Sequence, residues 1–119
     1  MKKKHFNCPA ELTAKLIGGT WKSSLLYHLR KTPKRFGELR RLSPGLSQST
    51  LSRELRDFEK NGIISKTKIG KEPYNGTEYA LTEKGQTLKP ILNAMIRWGL
   101  ENQKDFVLGD FRVVTNQSK

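Results

Sequence analysis

Residues 36–62 read FGELRRLSPGLSQSTLSRELRDFEKNG, and hydroxyls and guanidiniums recur there at helical spacing. Advancing about 100° per residue from Leu51, the residues Ser47, Gln48, Leu51, Leu55 and Phe58 fall on one side. Ser49, Ser52, Arg53, Arg56 and Lys60 fall on the other. A guanidinium fork donates to both O6 and N7 of guanine and discriminates by about 1–3 kcal/mol per good pair. Hydroxyls and amides near a helix start reach phosphates and base edges. The chemistry expected of this face is therefore recognition of a DNA major groove, with the opposite face seated in a core. An ordinary amphipathic hairpin with a solvated outer face has the same periodicity, so the segment needs independent support.

The turn before that helix supplies some. Phe36, Leu39 and Leu42 predict a two-turn helix, and Ser43-Pro44-Gly45 breaks it. Leu46 anchors the turn, Ser47 or Ser49 caps the next helix, and Asn61-Gly62 ends it. Charge supplies more. The chain has 119 residues and a formal net charge of +12, which suits a polyanionic partner. Yet residues 47–60 are formally neutral, because Arg53, Arg56 and Lys60 balance Glu54, Asp57 and Glu59. The excess lies in Arg30, Lys31, Lys34, Arg35, Arg40 and Arg41, and again in Lys66, Lys68 and Lys71. Charge that flanks a reading helix behaves as a phosphate clamp, whereas a membrane-surface helix gathers charge and large apolar residues on one segment.

Around this segment, Pro9 opens a first helix capped by Cys8 or Asn7, with Leu12 and Leu16 one turn apart, and Gly18-Gly19 stops it. A second helix carries Trp21, Leu25 and Leu29 on one side to about Lys31, with Thr20 as its cap. Residues 63–69 and 77–81 read as two strands joined by a turn-rich, basic loop. A hairpin placed there has the character of a wing. Thr82 caps a last long helix whose stripe is Leu88, Ile91, Leu92, Met95, Ile96 and Trp98, kinked or divided after Lys89 by Pro90. Hydrophobic content of only 34% leaves a small core, so so wide a stripe is expected to serve a dimer interface.

Other chemistry is excluded or weak. His5 and His28 have one cysteine between them and no carboxylates at ligand spacing, so neither metal nor cofactor is expected. Gly18-Gly19 lacks the ending of a phosphate loop. No run of about 18 apolar residues appears, no apolar signal core follows Met1-Lys2-Lys3-Lys4, and a single cysteine fits a reducing compartment. The expected location is cytoplasmic, without membrane contact. Cys8 precedes a helix start and follows Lys2, Lys3, Lys4 and His5, which favours thiol reactivity; a small packing residue is the bland alternative.

Cys8-Pro9, LIGGTWK at 16–22, RFGELRR at 35–41, GLSQ at 45–48, EYALTEKG at 78–85, Leu51, Leu55, Gly62 and Trp98 together resemble the HxlR-type winged helix-turn-helix regulators, over residues 8–100. The resemblance implies a mainly α fold with a small β-hairpin, a winged helix-turn-helix dimerising through its N-terminal and C-terminal helices. It implies a homodimeric, sequence-specific transcriptional regulator of double-stranded operator DNA, a repressor by expectation, with redox or electrophile response through Cys8. The DNA-binding set is then Arg35, Ser47, Gln48, Ser49, Ser52, Arg53, Arg56, Lys60, Lys66, Lys68 and Lys71. The interface set is Leu12, Leu16, Leu92, Met95, Ile96 and Trp98. Residues 1–103 form the domain and 104–119 a tail without a recognisable motif. The wing departs from the family, since Tyr74-Asn75-Gly76-Thr77 stands where proline and a basic or β-branched residue usually precede Glu-Tyr. Two other classes compete. A protein- or RNA-binding winged helix predicts no discrimination among duplexes, and an enzyme with Cys8 as nucleophile lacks a base and an orienting carboxylate.

Overall fold

Proline at position 9 has the φ that a first helical turn requires, and helix α1 runs Pro9–Ile17 with Cys8 as its N-cap. These are features of a computed structural model that describes residues 3–109 and 111. Met1 and Lys2 of the basic N-terminal run, and residues 110 and 112–119 of the tail, lie outside the described residues. Helix α2 (Thr20–Leu29) is capped by Gly19 rather than Thr20. Strand β1 (Lys34–Arg35) leads directly into α3 (Phe36–Arg41), whose start is closed by Glu38 Oε1 accepting from the Arg35 amide at 2.8 Å. Helix α4 (Gln48–Lys60) follows, then β2 (Ile64–Lys68), β3 (Thr77–Leu81), α5 (Glu83–Gln86), α6 (Lys89–Asn102) and a 3-10 turn at Gln103–Asp105.

The expected hairpin is β2 and β3, antiparallel with Lys66 opposite Tyr79. It is one strand wider than expected. β1 adds to the far side of β3, with Lys34 opposite Tyr79 and Arg35 opposite Glu78, giving the order β1-β3-β2. The expected last long helix is two helices. Pro90 sits in the first turn of α6, and the break falls at Thr87 and Leu88, ahead of Lys89 rather than after it. A proline has no amide to bond to the preceding turn, so it begins the second helix instead of bending one.

The core is built from Leu25, Leu26 and Leu29 of α2, Leu39 of α3, Leu51, Leu55 and Phe58 of α4, and Tyr79 and Leu81 of β3, among others. Leu92 is a correction to the expected interface set: it is 2% exposed and belongs to this core. Thr82 ties the pieces together. Its hydroxyl accepts from the Gly85 amide at 3.0 Å and donates to the Gly62 and Ile63 carbonyls. That clasp brings α5 against the chain so closely that a Cβ on Gly85 would lie 2.2 Å from the Ile63 carbonyl oxygen and 3.1 Å from Leu81 Cδ2. Gly85→Ala forces backbone to move, so it is expected to cost about 3 kcal/mol, the upper end for overpacking. Thermal denaturation should show the midpoint falling by roughly 10 °C or more.

His28 of α2 is buried, and its Nε2 has no hydrogen-bond partner among the described residues. Burial holds its pKa below the ordinary 6.5, Lys34 and Arg30 add repulsion, and the Leu42 backbone opposes them. The unfolded chain therefore binds a proton that the folded one refuses between the lowered value and 6.5. Stability is full above that window, declines as pH falls through it, and levels off below the folded value. Denaturant titrations from about pH 7.5 to about pH 5.5 should show this decline, and His28→Gln should flatten it.

Candidate nucleic-acid interface

The segment that joins α3 to α4 turns within a few residues. Gly45 takes φ 91°, a left-handed backbone open to glycine at little cost, and the Leu46 amide donates to the Ser43 carbonyl at 3.1 Å. Leu46 is buried beneath it. Ser47 is the residue that caps α4, its Oγ accepting from the Thr50 amide at 3.1 Å. Gln48 is exposed rather than packed, and its Oε1 accepts from Arg40 at 3.4 Å, a thin link between α3 and the start of α4.

Along α4, Leu51, Leu55 and Phe58 are fully buried while Ser49, Arg53, Arg56 and Lys60 are exposed and Ser52 is half-buried. Among the described residues neither the Arg53 nor the Arg56 side chain takes part in an ion pair or hydrogen bond. Their forks are free for an external acceptor. Two of the three acidic residues of the same helix, Glu54 and Asp57, are engaged. Lys22, from the first turn of α2, donates to the Glu54 carboxylate and to Asp57 Oδ2 at 3.3 Å, with its ammonium 5.2 Å from the Phe58 ring centroid. Sequence reasoning missed Lys22, because its partners lie 32 and 35 positions away and no local pattern links them.

Basic residues flank α4 on both sides in the chain. Arg30 stacks 4.1 Å from the Tyr27 ring centroid and donates to the Tyr27 carbonyl at 2.6 Å, so its stem is held in place. Arg35 is exposed at the junction of β1 and α3, where pairing with Glu78 of β3 fixes its backbone. In the wing, Lys66, Lys68 and Lys71 are all exposed. Lys68 lies 5.1 Å from the ring centroid of Tyr74, so the unusual wing residue holds a cation at the loop.

A separate apolar surface lies on the helices that pack against α2. Leu12 of α1 and Ile91, Met95 and Trp98 of α6 are exposed, Trp98 by 59%, and Ile96 and Leu16 are half-buried. Beyond α6, Phe106 packs on Trp98 with ring centroids 6.1 Å apart, so the ordered chain continues past residue 103. Cys8 is exposed at the α1 N-cap. Among the described residues no group of histidine, cysteine or carboxylate side chains has the arrangement of a metal site, and no helix is long and apolar enough to cross a membrane.

Comparison with known proteins agrees with this geometry. Residues 16–106 match the HxlR-like helix-turn-helix family. The HTH-type transcriptional regulator YkvN of Bacillus subtilis is 38% identical over 112 residues, covering 93% of this chain and 94% of YkvN. Among solved structures, the redox regulator HypR in its reduced form superposes with a TM-score of 0.78 at 41% identity, covering 82% of this chain and 96% of HypR. The diamide-treated form of YodB from B. subtilis gives 0.65 at 31% identity, covering 82% and 97%.

Proposed function

From its place in the HxlR-like helix-turn-helix family, to which this chain belongs, we infer a homodimeric repressor that reads a pseudo-palindromic operator. The chain is a DNA-binding transcriptional regulator with a winged helix-turn-helix fold, related to regulators rather than to enzymes. The observation that supports the finer reading is the outer face of α4, where Arg53 and Arg56 stand exposed without a side-chain partner among the described residues. In this reading α4 enters the major groove, with Ser47, Gln48, Ser49 and Ser52 at its leading end and Lys60 at its trailing end. Arg35 and the wing residues Lys66, Lys68 and Lys71 hold phosphates. Two copies meet through Leu12, Leu16, Met95, Ile96 and Trp98, so the half-sites lie about one helical turn, or a multiple, apart. Repression then needs no surface beyond this one, since a dimer seated on a promoter excludes polymerase by occupancy.

Duplexes from the upstream region of the gene, compared with random duplexes across salt, test this. Six to ten phosphate contacts predict a loss of about 10³–10⁵ in affinity from about 50 to about 200 mM salt. Equal affinity for all duplexes would overturn sequence-specific regulation in favour of a general nucleic-acid or protein-binding module.

A second reading concerns control of that binding. Cys8 is exposed, and two structural neighbours are described by redox state or diamide treatment. As the chain's one thiol, Cys8 can pair with Cys8 of a second copy, the two sulfurs forming one disulfide while diamide takes up two electrons and two protons. It can equally pair with a small thiol or be alkylated. Operator binding should change with diamide and recover with dithiothreitol, and Cys8→Ser should abolish the response. A wild-type response in Cys8→Ser makes the residue structural.

A further inference from the structure

Helix α4 presents a problem that its own sequence does not solve. Asp57 stands four positions after Arg53, the spacing at which opposite charges on a helix meet. An Arg53 fork engaged by Asp57 has fewer donors left for a guanine edge, and the carboxylate brings a like charge toward the phosphates. In the structure that pair is absent, because Asp57 is turned to Lys22 of α2. The same ammonium holds Glu54, and both the Lys22 and Glu54 side chains are largely shielded, at 17% and 16% exposure. Two of the three acidic residues of α4 are thereby drawn toward α2, while its basic residues remain outside.

We propose that Lys22 is a positioning residue for DNA recognition: by engaging Asp57 and Glu54 from α2, it keeps the Arg53 guanidinium free to read the groove. Lys22 need not touch DNA for this. Its effect passes through the competition between two cations for one carboxylate, Lys22 across the helix interface and Arg53 along the helix. The ring of Phe58 beneath the ammonium stabilises the first arrangement. The inference rests on the reading that α4 contacts DNA.

The test uses the full chain and a duplex recovered by the wild-type protein from a random-sequence pool. Lys22→Met keeps the stem and removes the charge, and it is expected to weaken binding to that duplex about tenfold, with a smaller loss on random duplexes. Lys22→Met/Asp57→Asn should restore wild-type affinity. Lys22→Met/Glu101→Gln, with the same net charge but the change placed on α6, should not. In an Arg53→Ala background, Lys22→Met should cost little more, because the residue it protects is gone. Additive losses, or failure of Asp57→Asn to restore binding, would overturn the proposal and make the ion pair merely structural. If Lys22→Met does not fold, Lys22→Met/Glu54→Gln removes the shielded carboxylate yet leaves Asp57 free to engage Arg53, so the same comparisons apply. Wild-type affinity in Arg53→Ala itself would instead refute the reading of α4 on which the inference stands.

Discussion

Arg53→Ala/Arg56→Ala is expected to weaken operator binding by roughly 10²–10⁴ while leaving the thermal midpoint near its wild-type value. Both side chains are exposed and neither is bonded to another side chain among the described residues, so their truncation removes no such bond from the fold. Each bidentate contact to guanine contributes about 1–3 kcal/mol of discrimination, which sets the range for two. Fluorescence anisotropy with operator and random duplexes across salt separates the two roles an arginine can have. Loss confined to operator identifies base reading. Loss on both, with the salt slope reduced by about one per residue, identifies phosphate contact. A collapsed thermal transition would mean that the buried and exposed faces of α4 have been confused.

Met95→Glu/Trp98→Glu is expected to produce a monomer and to reduce operator affinity by about 10²–10⁴. Trp98 is 59% exposed and Met95 44%, and the Trp98 ring packs on Phe106. Carboxylates there stay in water in the monomer, so folding tolerates them, but at an interface they are buried without a partner. The loss in affinity follows because the second half-site then binds as an independent event rather than from an effectively tethered partner. Sedimentation equilibrium reads the association state, and the same duplexes read the affinity. A variant that stays dimeric would place the interface elsewhere on the chain.

Much of this is legible in the sequence because it is local. The alternation of Leu51, Leu55 and Phe58 with Arg53 and Arg56 is a helical repeat, and the structure buries the first three and exposes the last two. Pro44-Gly45, Ser47 and Pro9 act on neighbouring φ, ψ and amide groups, so their turn, cap and helix start could be read from residue type. The strand Thr77–Leu81 emerged with its expected bounds for the same reason. Where the reading went astray, the deciding contact was distant. Strand β1 has two residues, too few for any periodicity, and exists because β3 offers Lys34 and Arg35 a free edge. Leu92 shares one helical stripe with Met95 and Trp98, yet it turns inward to the core while they remain outside. Spacing places residues on a face; it does not say how far round that face the neighbouring helix reaches.

The charged face of α4 draws the same line most sharply. Sequence alone determined that residues 47–60 form a two-faced helix of zero net charge between basic flanks, because periodicity and formal charge need no knowledge of neighbours. Only the tertiary structure decided which of those charges are engaged within the chain. Lys22 reaches across from α2 to take Glu54 and Asp57, and Arg53 and Arg56 are left exposed and, among the described residues, unpaired. Coulomb attraction depends on distance through space and on shielding from water, and chain folding sets both.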